Sequence, residues 1–271
     1  MPERSLRRFF VERIDPDATV CRVAGQEAKH IRKVLRMGVG QPLLLVDEVG
    51  RRVIGRIASV SPQEVQVLVE TLLSPAAAPL VETVLCQAVL KSQRMDWLIQ
   101  KTTELGVRRI VPFFSERTVV DLYGEKTESK IRRWREIARM ATTQCDGDRP
   151  PVIEPPLTFA ELLARYRDEA ALKGILWEKT IGLANLKDIL RPNAASPRRF
   201  IGMVGPEGGF SEREIEEAAA CGFVPLGLGR RILRAETAGM MLVGIVQYEW
   251  GDLGEAADRQ RQTAGTDATD G

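Results

Sequence analysis

The chain of 271 residues has a single histidine, His30, and only four cysteines, which stand far apart at positions 21, 86, 145 and 221. One imidazole cannot build a multi-histidine zinc site, and the carboxy-terminal two thirds hold no histidine for a serine–histidine triad. The absence of a C-x-x-C pair argues against a zinc ribbon and a disulfide framework. We therefore expect chemistry that uses no metal, no imidazole and no paired thiols.

Long apolar runs are also missing from the sequence. No segment approaches the roughly 18–20 uncharged apolar residues that a membrane-spanning helix requires. The charged residues at the amino terminus lead into no apolar stretch of the kind found in secretory signals. With 44% hydrophobic and 28% charged residues, the composition is typical of a globular protein. These features predict a cytoplasmic protein without a membrane partner.

Charge is unevenly distributed along the chain, although the net charge is only +2. The first 40 residues carry nine Lys and Arg against five acids, a local net charge of +4. A basic patch on a nearly neutral protein is typical of phosphate contacts at one end. Solvated surface arginines would give the same distribution.

Two domains are predicted, because the pattern of strands and helices changes along the chain. Residues 1–73 contain short strands and one helix from Gln26 to about Met37, which suggests a compact barrel. Residues 74–79 are the expected linker, since two prolines among small residues continue neither a strand nor a helix. From 80 to 253, strands alternate with helices and predict an α/β domain around a mostly parallel sheet. Residues 254–271 lack periodicity and are expected to be disordered.

The most informative segment runs from Ile201 to Ser211 and reads Ile-Gly-Met-Val-Gly-Pro-Glu-Gly-Gly-Phe-Ser. It predicts a buried strand, a glycine-rich turn, and a helix that begins with a capping box of Ser211 and Glu214. Backbone amides at such a turn approach a ligand closely. The segment is neither a Walker A loop nor G-x-G-x-x-G, and Glu207 would repel phosphate but favour a cationic ligand. A tight structural turn would have the same sequence features.

A second glycine-rich segment runs from Leu226 to Gly239. Its loop holds three arginines, Arg230, Arg231 and Arg234, and an apolar helix follows. Two glycine loops at the carboxyl ends of strands predict a ligand crevice at that edge of a parallel sheet.

The two loops together resemble a known family. Gly205-Pro-Glu-Gly-Gly209 and Leu228-Gly-Arg-Arg-Ile-Leu-Arg-Ala-Glu-Thr-Ala238 resemble the signature of the knotted (SPOUT) RNA methyltransferases. More narrowly, they resemble the RsmE family of small-subunit ribosomal RNA uridine N3-methyltransferases. Segments 30–37, 91–96, 100–107 and 112–117 agree in the same order, so the resemblance spans roughly residues 5–253.

The resemblance implies a fold and an activity. The fold would be a small amino-terminal PUA-like β-barrel for RNA and a carboxy-terminal α/β-knot domain, in which a deep trefoil knot binds S-adenosylmethionine. The activity would be methyl transfer to N3 of one uridine in 16S ribosomal RNA, with the small ribosomal subunit as partner. The family also implies a homodimer with the last helix at the interface. Apolar residues from Met240 to Tyr248 fit such an interface, although a core helix would look the same.

The resemblance also indicates the site residues. Cofactor contacts are expected from the strand ends and both loops, at Leu176, Trp177, Met203, Gly205, Pro206, Glu207, Gly208, Gly209, Leu226, Leu228, Gly229, Ile232, Leu233 and Arg234. RNA contacts are expected from Arg7, Arg8, His30, Arg32, Arg36, Gln144 and Arg149.

Uridine N3 carries a proton at neutral pH, so the reaction needs a base or stabilisation of the uracil anion. Arg234 and Arg117 are the expected electrostatic partners of the uracil. Glu207 or Glu236 is the expected base, and the sequence leaves the choice between them open. Each of these residues could instead form a structural ion pair.

The sequence departs from the family pattern between Met140 and Pro151. Thr143 stands where relatives have an acid, and Gly147 stands where an arginine is common, which weakens the expected RNA contacts there. Two other functions remain open at this point. The chain could methylate another base or a ribose, or it could be a non-catalytic RNA-binding factor in ribosome assembly, although intact glycine loops argue against the latter.

Overall fold

The computed structural model describes residues 6–74, 78–91, 93–120, 125–179, 184–191 and 199–254. The chain divides into two compact units. The first unit comprises Met1–Ala78 with Ala138–Pro150, and the second comprises Pro79–Ile137 with Pro151–Gly271. The predicted linker 74–79 lies partly outside the described residues, and the predicted tail 254–271 lies almost entirely outside them. In the described part of the chain, no helix has the length and apolarity needed to span a bilayer.

The first unit is built on a five-stranded sheet in the order β1-β3-β4-β5-β2. Its elements are β1 (Arg8–Val11), β2 (Val20–Ala24), α1 (Gly25–Lys29), β3 (Pro42–Asp47), β4 (Arg52–Val60) and β5 (Glu64–Leu73). Only β1 and β3 pair in parallel, and the other pairs are antiparallel. The edge strands β1 and β2 contact each other, so the sheet curves around a core that includes Phe9, Ile31 and Val65.

The helix predicted from Gln26 to Met37 is shorter in the structure. A π-helical turn, His30–Val34, follows α1 directly. Arg36 then adopts a φ of +50°, which no helix allows, and the chain turns away. The prediction overestimated the helix because the apolar spacing of this segment continues past the residue that ends it.

The second unit is built on an eight-stranded sheet in the order β11-β13-β10-β12-β6-β7-β8, with β9 also paired to β7. Its strands are β6 (Glu82–Ala88), β7 (Arg109–Phe114), β8 (Val152–Ile153), β9 (Leu157–Thr158), β10 (Leu172–Leu176), β11 (Ala184–Asn185), β12 (Arg199–Val204) and β13 (Val224–Gly227). Its helices are α2 (Gln93–Glu104), α3 (Glu125–Gln144), α4 (Phe159–Tyr166), α5 (Leu186–Leu190), α6 (Glu212–Ala220) and α7 (Ala235–Trp250). In the second unit, all strand pairs among the described residues are parallel, which confirms the predicted α/β arrangement.

Burial explains why these strands carry little alternation in the sequence. Every residue of β6 and of β12 except the first is buried, as expected for central parallel strands covered on both faces. Helix α7 packs against α2, β6 and β12 on one side of the sheet. A cluster that includes Phe113, Phe159 and Phe210 fills the space between the sheet and α4 and α6.

Helix α3 contributes residues to both units, because the segment from Ala138 onward groups with the first. Within that unit Arg139 forms an ion pair with buried Glu27 at 3.9 Å. The helix ends in a left-handed residue, Asp146, with a φ of +58°, and the Gly147 N–H donates to the Thr142 carbonyl over 2.9 Å. This bond is typical of a Schellman motif, in which glycine usually takes the left-handed position.

Candidate active site

A cavity of about 510 Å³ opens in the second unit at the carboxyl ends of β10, β12 and β13. Three chain segments form most of its wall, namely 176–178, 204–210 and 226–235, and Arg94 of α2 and Ala238 of α7 complete it. Carboxyl ends of parallel strands share one edge of a sheet, so the two glycine loops meet there as the sequence predicted. The volume is within the usual range of small-molecule sites, roughly 300–1,000 Å³.

The first glycine loop, Gly205 to Gly209, is held from several sides. The Gly209 N–H donates to the Pro206 carbonyl over 3.0 Å, and the φ of Gly209 is +66°. A Cβ at Gly209 would lie 2.6 Å from the Glu178 Oε1, so a side chain there would have to displace the Glu178 carboxylate. Below the loop, buried Gln87 donates its amide to the Gly205 carbonyl over 3.3 Å. The loop therefore forms a fixed wall of backbone atoms.

The predicted capping box follows this loop and is confirmed. The Ser211 hydroxyl accepts from the Glu214 N–H over 3.3 Å, and the Ser211 N–H donates to the Glu214 carboxylate over 2.9 Å. The cap fixes the start of α6 and therefore the exit direction of the loop.

Two arginines engage the first loop. Arg117 Nη1 donates to the Gly208 carbonyl over 3.0 Å. Arg94 Nη1 pairs with Glu207 Oε1 at 3.0 Å, and Arg94 Nε lies 3.9 Å from Glu236 Oε1. Glu236 is buried, and within the described residues its Oε2 has no hydrogen-bond partner. Arg94 thus connects the loop to the first turn of α7.

The second glycine loop, Gly227 to Arg234, is open by contrast. A Cβ at Gly229, whose φ is +100°, would meet nothing within 4 Å. Ile232 is 84% exposed despite its apolar side chain. Arg230, Arg231 and Arg234 are exposed and form no ion pair or side-chain hydrogen bond within the described ranges. Arg234 is the N-cap residue of α7, but its side chain takes no part in the cap. The loop therefore presents three uncompensated guanidinium groups at the cavity.

The segment after β10 carries a further polar group. The Trp177 N–H donates to the Leu226 carbonyl over 3.0 Å and fixes this segment beside β13. The indole Nε1 of Trp177 is buried and, among the described residues, lacks an acceptor. Lys179 lies over the indole ring at 5.5 Å and also pairs with Glu212, and its hydrogen bond lowers the pKa of that carboxyl below its ordinary value. An unpaired buried donor in a cavity wall is one that a ligand acceptor can satisfy.

The predicted cofactor residues meet at this cavity with one exception. The lining includes Leu176, Trp177, Gly205, Pro206, Glu207, Gly208, Gly209, Leu226, Leu228, Gly229, Ile232, Leu233 and Arg234. Met203 does not line it, because its side chain points from β12 into the core and is fully buried. Arg94 and Glu178 line the cavity and were missed by sequence reasoning. Only their positions in the sequence could have indicated them: Arg94 lies in segment 91–96, which resembles the family, and Glu178 directly follows a predicted strand.

The predicted catalytic residues occupy different layers of the site. Arg234 and Glu207 line the cavity. Arg117 contacts the outer side of the first loop at Gly208, and Glu236 lies behind Arg94. The four residues are thus grouped around one cavity, but Arg117 and Glu236 reach it only through a neighbour.

The predicted RNA residues all lie in the first unit and differ in exposure. Arg7, Arg36, Gln144 and Arg149 are exposed. His30 is half-buried with its ring edge-on to Phe9, and half-buried Arg32 donates to the Ser61 carbonyl over 3.4 Å. Arg8 is largely withdrawn from solvent into contacts with the loop after α3. In the described part of the chain, no three His, Cys, Asp or Glu side chains group as metal ligands.

Comparison with known proteins identifies the class of this fold and site. A model of the RNA methyltransferase domain matches residues 77–247, and a model of the RNA methyltransferase PUA domain matches residues 23–70. The fold and the site therefore define an RNA methyltransferase with a PUA domain.

Individual relatives narrow the class. Ribosomal RNA small subunit methyltransferase E of Bacillus subtilis is 28% identical over 249 residues, which cover 90% of this chain and 97% of that protein. The protein of the same name from Mycobacterium bovis is 30% identical over 241 residues, 88% of this chain and 90% of that one. A crystal structure of the Neisseria gonorrhoeae enzyme of this name, bound to S-adenosyl methionine, matches with a TM-score of 0.79 and 27% identity over 92% of this chain and 99% of that one. The chain belongs to the ribosomal RNA small subunit methyltransferase E family, as its glycine loops predicted.

Proposed function

We propose that this protein uses S-adenosylmethionine to methylate N3 of one uridine in the 16S RNA of the small ribosomal subunit. The observation that carries the proposal is the meeting of two glycine loops at one cavity, with three arginines at its rim that have no ion-pair partner among the described residues. The names of the relatives support the RNA target, and the Neisseria gonorrhoeae structure supports the cofactor.

The cavity fits S-adenosylmethionine in size and in chemistry. Glycine backbone on two sides allows a bent ligand to lie close, and the Trp177 indole N–H, which has no acceptor among the described residues, could donate to the ligand. The carboxylates of Glu178 and Glu207 suit the positive sulfonium and ammonium groups. Segments 176–178, 205–209 and 226–233 would hold the cofactor. When bound, it supplies a methyl group on a cationic sulfur, which a nucleophile displaces in line.

Arg234 is the proposed electrostatic partner of the uracil. Removing the N3 proton leaves negative charge on the ring and its carbonyl oxygens, and a guanidinium group at the cavity stabilises that charge. Arg234 is free to do so, since it has no ion pair among the described residues. Arg117 is already bonded to Gly208, so we assign it to holding the first loop while adding positive charge behind it.

Glu207 is the better placed of the two candidate bases. It lies in the cavity wall, and its contact with Arg94 uses Oε1 and leaves Oε2 to accept a proton. Glu236 is buried behind Arg94 and does not line the cavity. We therefore assign proton transfer to Glu207 and the support of Arg94 to Glu236.

The first unit is the proposed RNA-binding domain, with a boundary to the methyltransferase domain at residues 74–79. Its exposed Arg7, Arg36, Gln144 and Arg149 are the proposed contacts, while His30 and Arg32 would contribute with their exposed edges. Phosphate contacts of this kind add affinity and salt dependence more than base selectivity. The ribosomal substrate would place the protein in the cytoplasm.

A deep trefoil knot and a homodimer complete the proposal. The path of the carboxy-terminal part supports the knot, since β13 pairs beyond β10 and α7 then returns to pack on β6 and β12. The outer face of α7 supports the dimer, since Met241 and Tyr248 are 40% and 64% exposed and lie two turns apart. Replacing Tyr248 by Glu should yield a monomer in analytical ultracentrifugation, whereas a wild-type protein that already sediments as a monomer would contradict the dimer.

The function is tested by mass spectrometry of 16S ribosomal RNA from a strain that lacks this protein. We expect one uridine to lose its N3 methyl group, and purified wild-type protein with S-adenosylmethionine to restore it in vitro. A missing methyl on another base or on a ribose would redirect the assignment. Intact methylation, together with no calorimetric binding of S-adenosylmethionine, would favour a non-catalytic RNA-binding role.

A further inference from the structure

Arg8 at the start of β1 was predicted to contact RNA phosphates, but its side chain is engaged elsewhere. Only 13% of the side chain is exposed. Nη1 donates to the Asp146 carbonyl over 2.8 Å and also to the Gly147 carbonyl. Nη2 lies 3.6 Å from the Asp146 carboxylate. One guanidinium group therefore binds three oxygens of two consecutive residues.

Those two residues form the turn that ends α3. Asp146 is left-handed, a conformation that costs a non-glycine residue free energy, and the Gly147 N–H closes the turn on the Thr142 carbonyl. The carbonyls that Arg8 binds lie beyond the last intrahelical hydrogen bonds, where helix ends commonly recruit cationic side chains. The turn thus depends on Arg8 for partners that the helix cannot supply.

The same turn separates two exposed polar side chains: Gln144 is the last residue of α3, and Arg149 follows the turn. Their relative direction is set by the left-handed residue between them. Exposed Arg7 directly precedes Arg8, the first residue of β1, and so lies close to the turn that Arg8 binds. A fixed turn at this place presents Gln144 and Arg149 in one arrangement, with Arg7 nearby.

We propose that Arg8 is a positioning residue for RNA binding. It holds the segment from Gln144 to Arg149, termed here the α3 turn, in the conformation that meets the RNA, and it makes no phosphate contact itself. The inference rests on the proposed function of the first unit in binding ribosomal RNA.

Electrostatics gives Arg8 a second part in this arrangement. The Asp146 side chain is 71% exposed and would repel the phosphate backbone if it were uncompensated. The largely buried guanidinium of Arg8 offsets the charge of the Asp146 carboxylate. The exposed side chains of the α3 turn remain available to the RNA. A lysine would keep the charge, but it offers one nitrogen where Arg8 uses two, Nη1 for both carbonyls and Nη2 facing the Asp146 carboxylate.

The test compares Arg8→Lys and Arg8→Met with Arg7→Ala in binding to transcribed small-subunit ribosomal RNA. If Arg8 positions the turn, both Arg8 variants should bind about tenfold more weakly, because the single nitrogen of lysine cannot replace the two guanidinium nitrogens that engage the turn. The slope of log Kd against log salt should fall in both by no more than it falls in Arg149→Ala, because a displaced turn loses the phosphate contact of Arg149 and none of Arg8 itself. Arg7→Ala should lower that slope by about 0.7–0.9, as expected for a lost phosphate contact.

Coupling to the turn provides a second readout that general destabilisation would not reproduce. In the wild-type background, Gln144→Ala and Arg149→Ala should each weaken binding. In the Arg8→Met background their effects should largely vanish, because the turn no longer presents them. Asp146→Asn tolerates the left-handed conformation and removes only the charge, so it should cost less than Arg8→Met.

Three results would overturn the inference. Arg8→Lys could bind as tightly as the wild type, Arg8→Met could lower the salt slope by more than Arg149→Ala does, or both Arg8 variants could lose the circular dichroism of the folded chain. The last result would mean that Arg8 supports the whole unit and not the α3 turn. A wild-type protein that binds S-adenosylmethionine but no RNA would instead contradict the proposed function.

Discussion

The two glycine loops of the cavity look alike in sequence but are held in opposite ways. The first is bonded on every side, with Arg117 on its outer face, Arg94 at Glu207 and Gln87 beneath. The second has room around Gly229, an exposed Ile232, and arginines without partners in the described residues. The charged side chains at the first loop are bonded to each other or to the loop backbone, whereas the arginines of the second loop are unpaired among the described residues.

This difference assigns separate tasks to the loops. A rigid backbone wall suits a small ligand whose shape does not vary, because preorganisation lowers the cost of binding. Free guanidinium groups suit an anionic partner that arrives later, and they stabilise charge that develops during the reaction. We therefore expect backbone changes in the first loop to affect cofactor affinity, and the loss of Arg234 from the second loop to affect turnover.

The largest expected effect is that of Arg234→Ala. Turnover should fall about 100- to 1,000-fold, because a positioned charge opposite the developing anion is removed. The Kd of S-adenosylmethionine should stay within about twofold, since Arg234 lines the cavity but, among the described residues, forms no ion pair or side-chain hydrogen bond that holds the wall in place. Single-turnover methylation and calorimetry measure the two quantities. Arg231→Ala, on the same loop, is the matched control and should affect RNA binding more than turnover. Unchanged turnover in Arg234→Ala would end its assignment.

Gly209→Ala should break the first loop. The new Cβ would lie 2.6 Å from Glu178 Oε1, and the φ of +66° adds about 1–2 kcal/mol of backbone strain. We expect the affinity for S-adenosylmethionine to fall at least about tenfold, as measured by calorimetry. Wild-type affinity in this variant would mean that the loop is not the rigid wall described here.

A charge cluster away from both loops provides a control with a pH signature. Glu154 receives hydrogen bonds from Arg165 over 2.6 and 2.8 Å and another from Arg109. Burial alone raises the pKa of Glu154, but these hydrogen bonds outweigh it, so the pKa lies below its ordinary value. A lowered folded-state pKa means that the stabilisation is complete above the unfolded-state pKa and is lost as the pH falls through the folded one.

Glu154→Gln should therefore lower the free energy of unfolding by about 1–2 kcal/mol at neutral pH. The difference from the wild type should begin to shrink as the pH falls below the unfolded-state glutamate pKa of about 4.3, and it should vanish below the lowered folded-state pKa, where the wild-type carboxyl is protonated as well. Urea titrations at neutral pH and at a series of acidic pH values measure it. Cofactor affinity should not change, and a large change would mean that the site is not confined to the cavity.

The smallest expected effect is that of Gly229→Ala. Its Cβ meets nothing within 4 Å, so only the backbone conformation resists the substitution. We expect the cofactor Kd to rise by no more than about threefold, roughly 0.7 kcal/mol. If Gly229→Ala weakened binding as much as Gly209→Ala, the two loops would be equally constrained and the comparison would fail.

The sequence predicted the parts of the site that depend on local signals. Glycines, the Ser211 cap and buried strand runs are local, so both loops and the parallel sheet were predicted. Met203 was assigned to the cavity because a buried parallel strand lacks the alternation that would reveal which side each residue faces. Arg94 and Glu178 line the cavity because the order of the strands in the sheet brings their segments to it, and no local sequence pattern predicts that order.

The first unit illustrates the same limit over a longer range. Arg8 and Asp146 are 138 residues apart, and neither has a neighbour in the sequence that indicates the other. Their charges and the basic composition near the amino terminus predicted an RNA contact, whereas the tertiary fold provides a closer partner. Charge statistics identify which end of the chain is basic, but burial decides which of its arginines are free.

The position of the Trp177 indole against the cavity has a practical consequence. Trp134 and Trp250 are buried in the core and Trp97 lies on α2, so among the four tryptophans only this one lines the cavity. A ligand that binds in the cavity beside this indole should therefore shift the fluorescence emission of Trp177. The enzyme therefore carries an intrinsic fluorescent reporter, by which cavity occupancy can be followed in real time without a label.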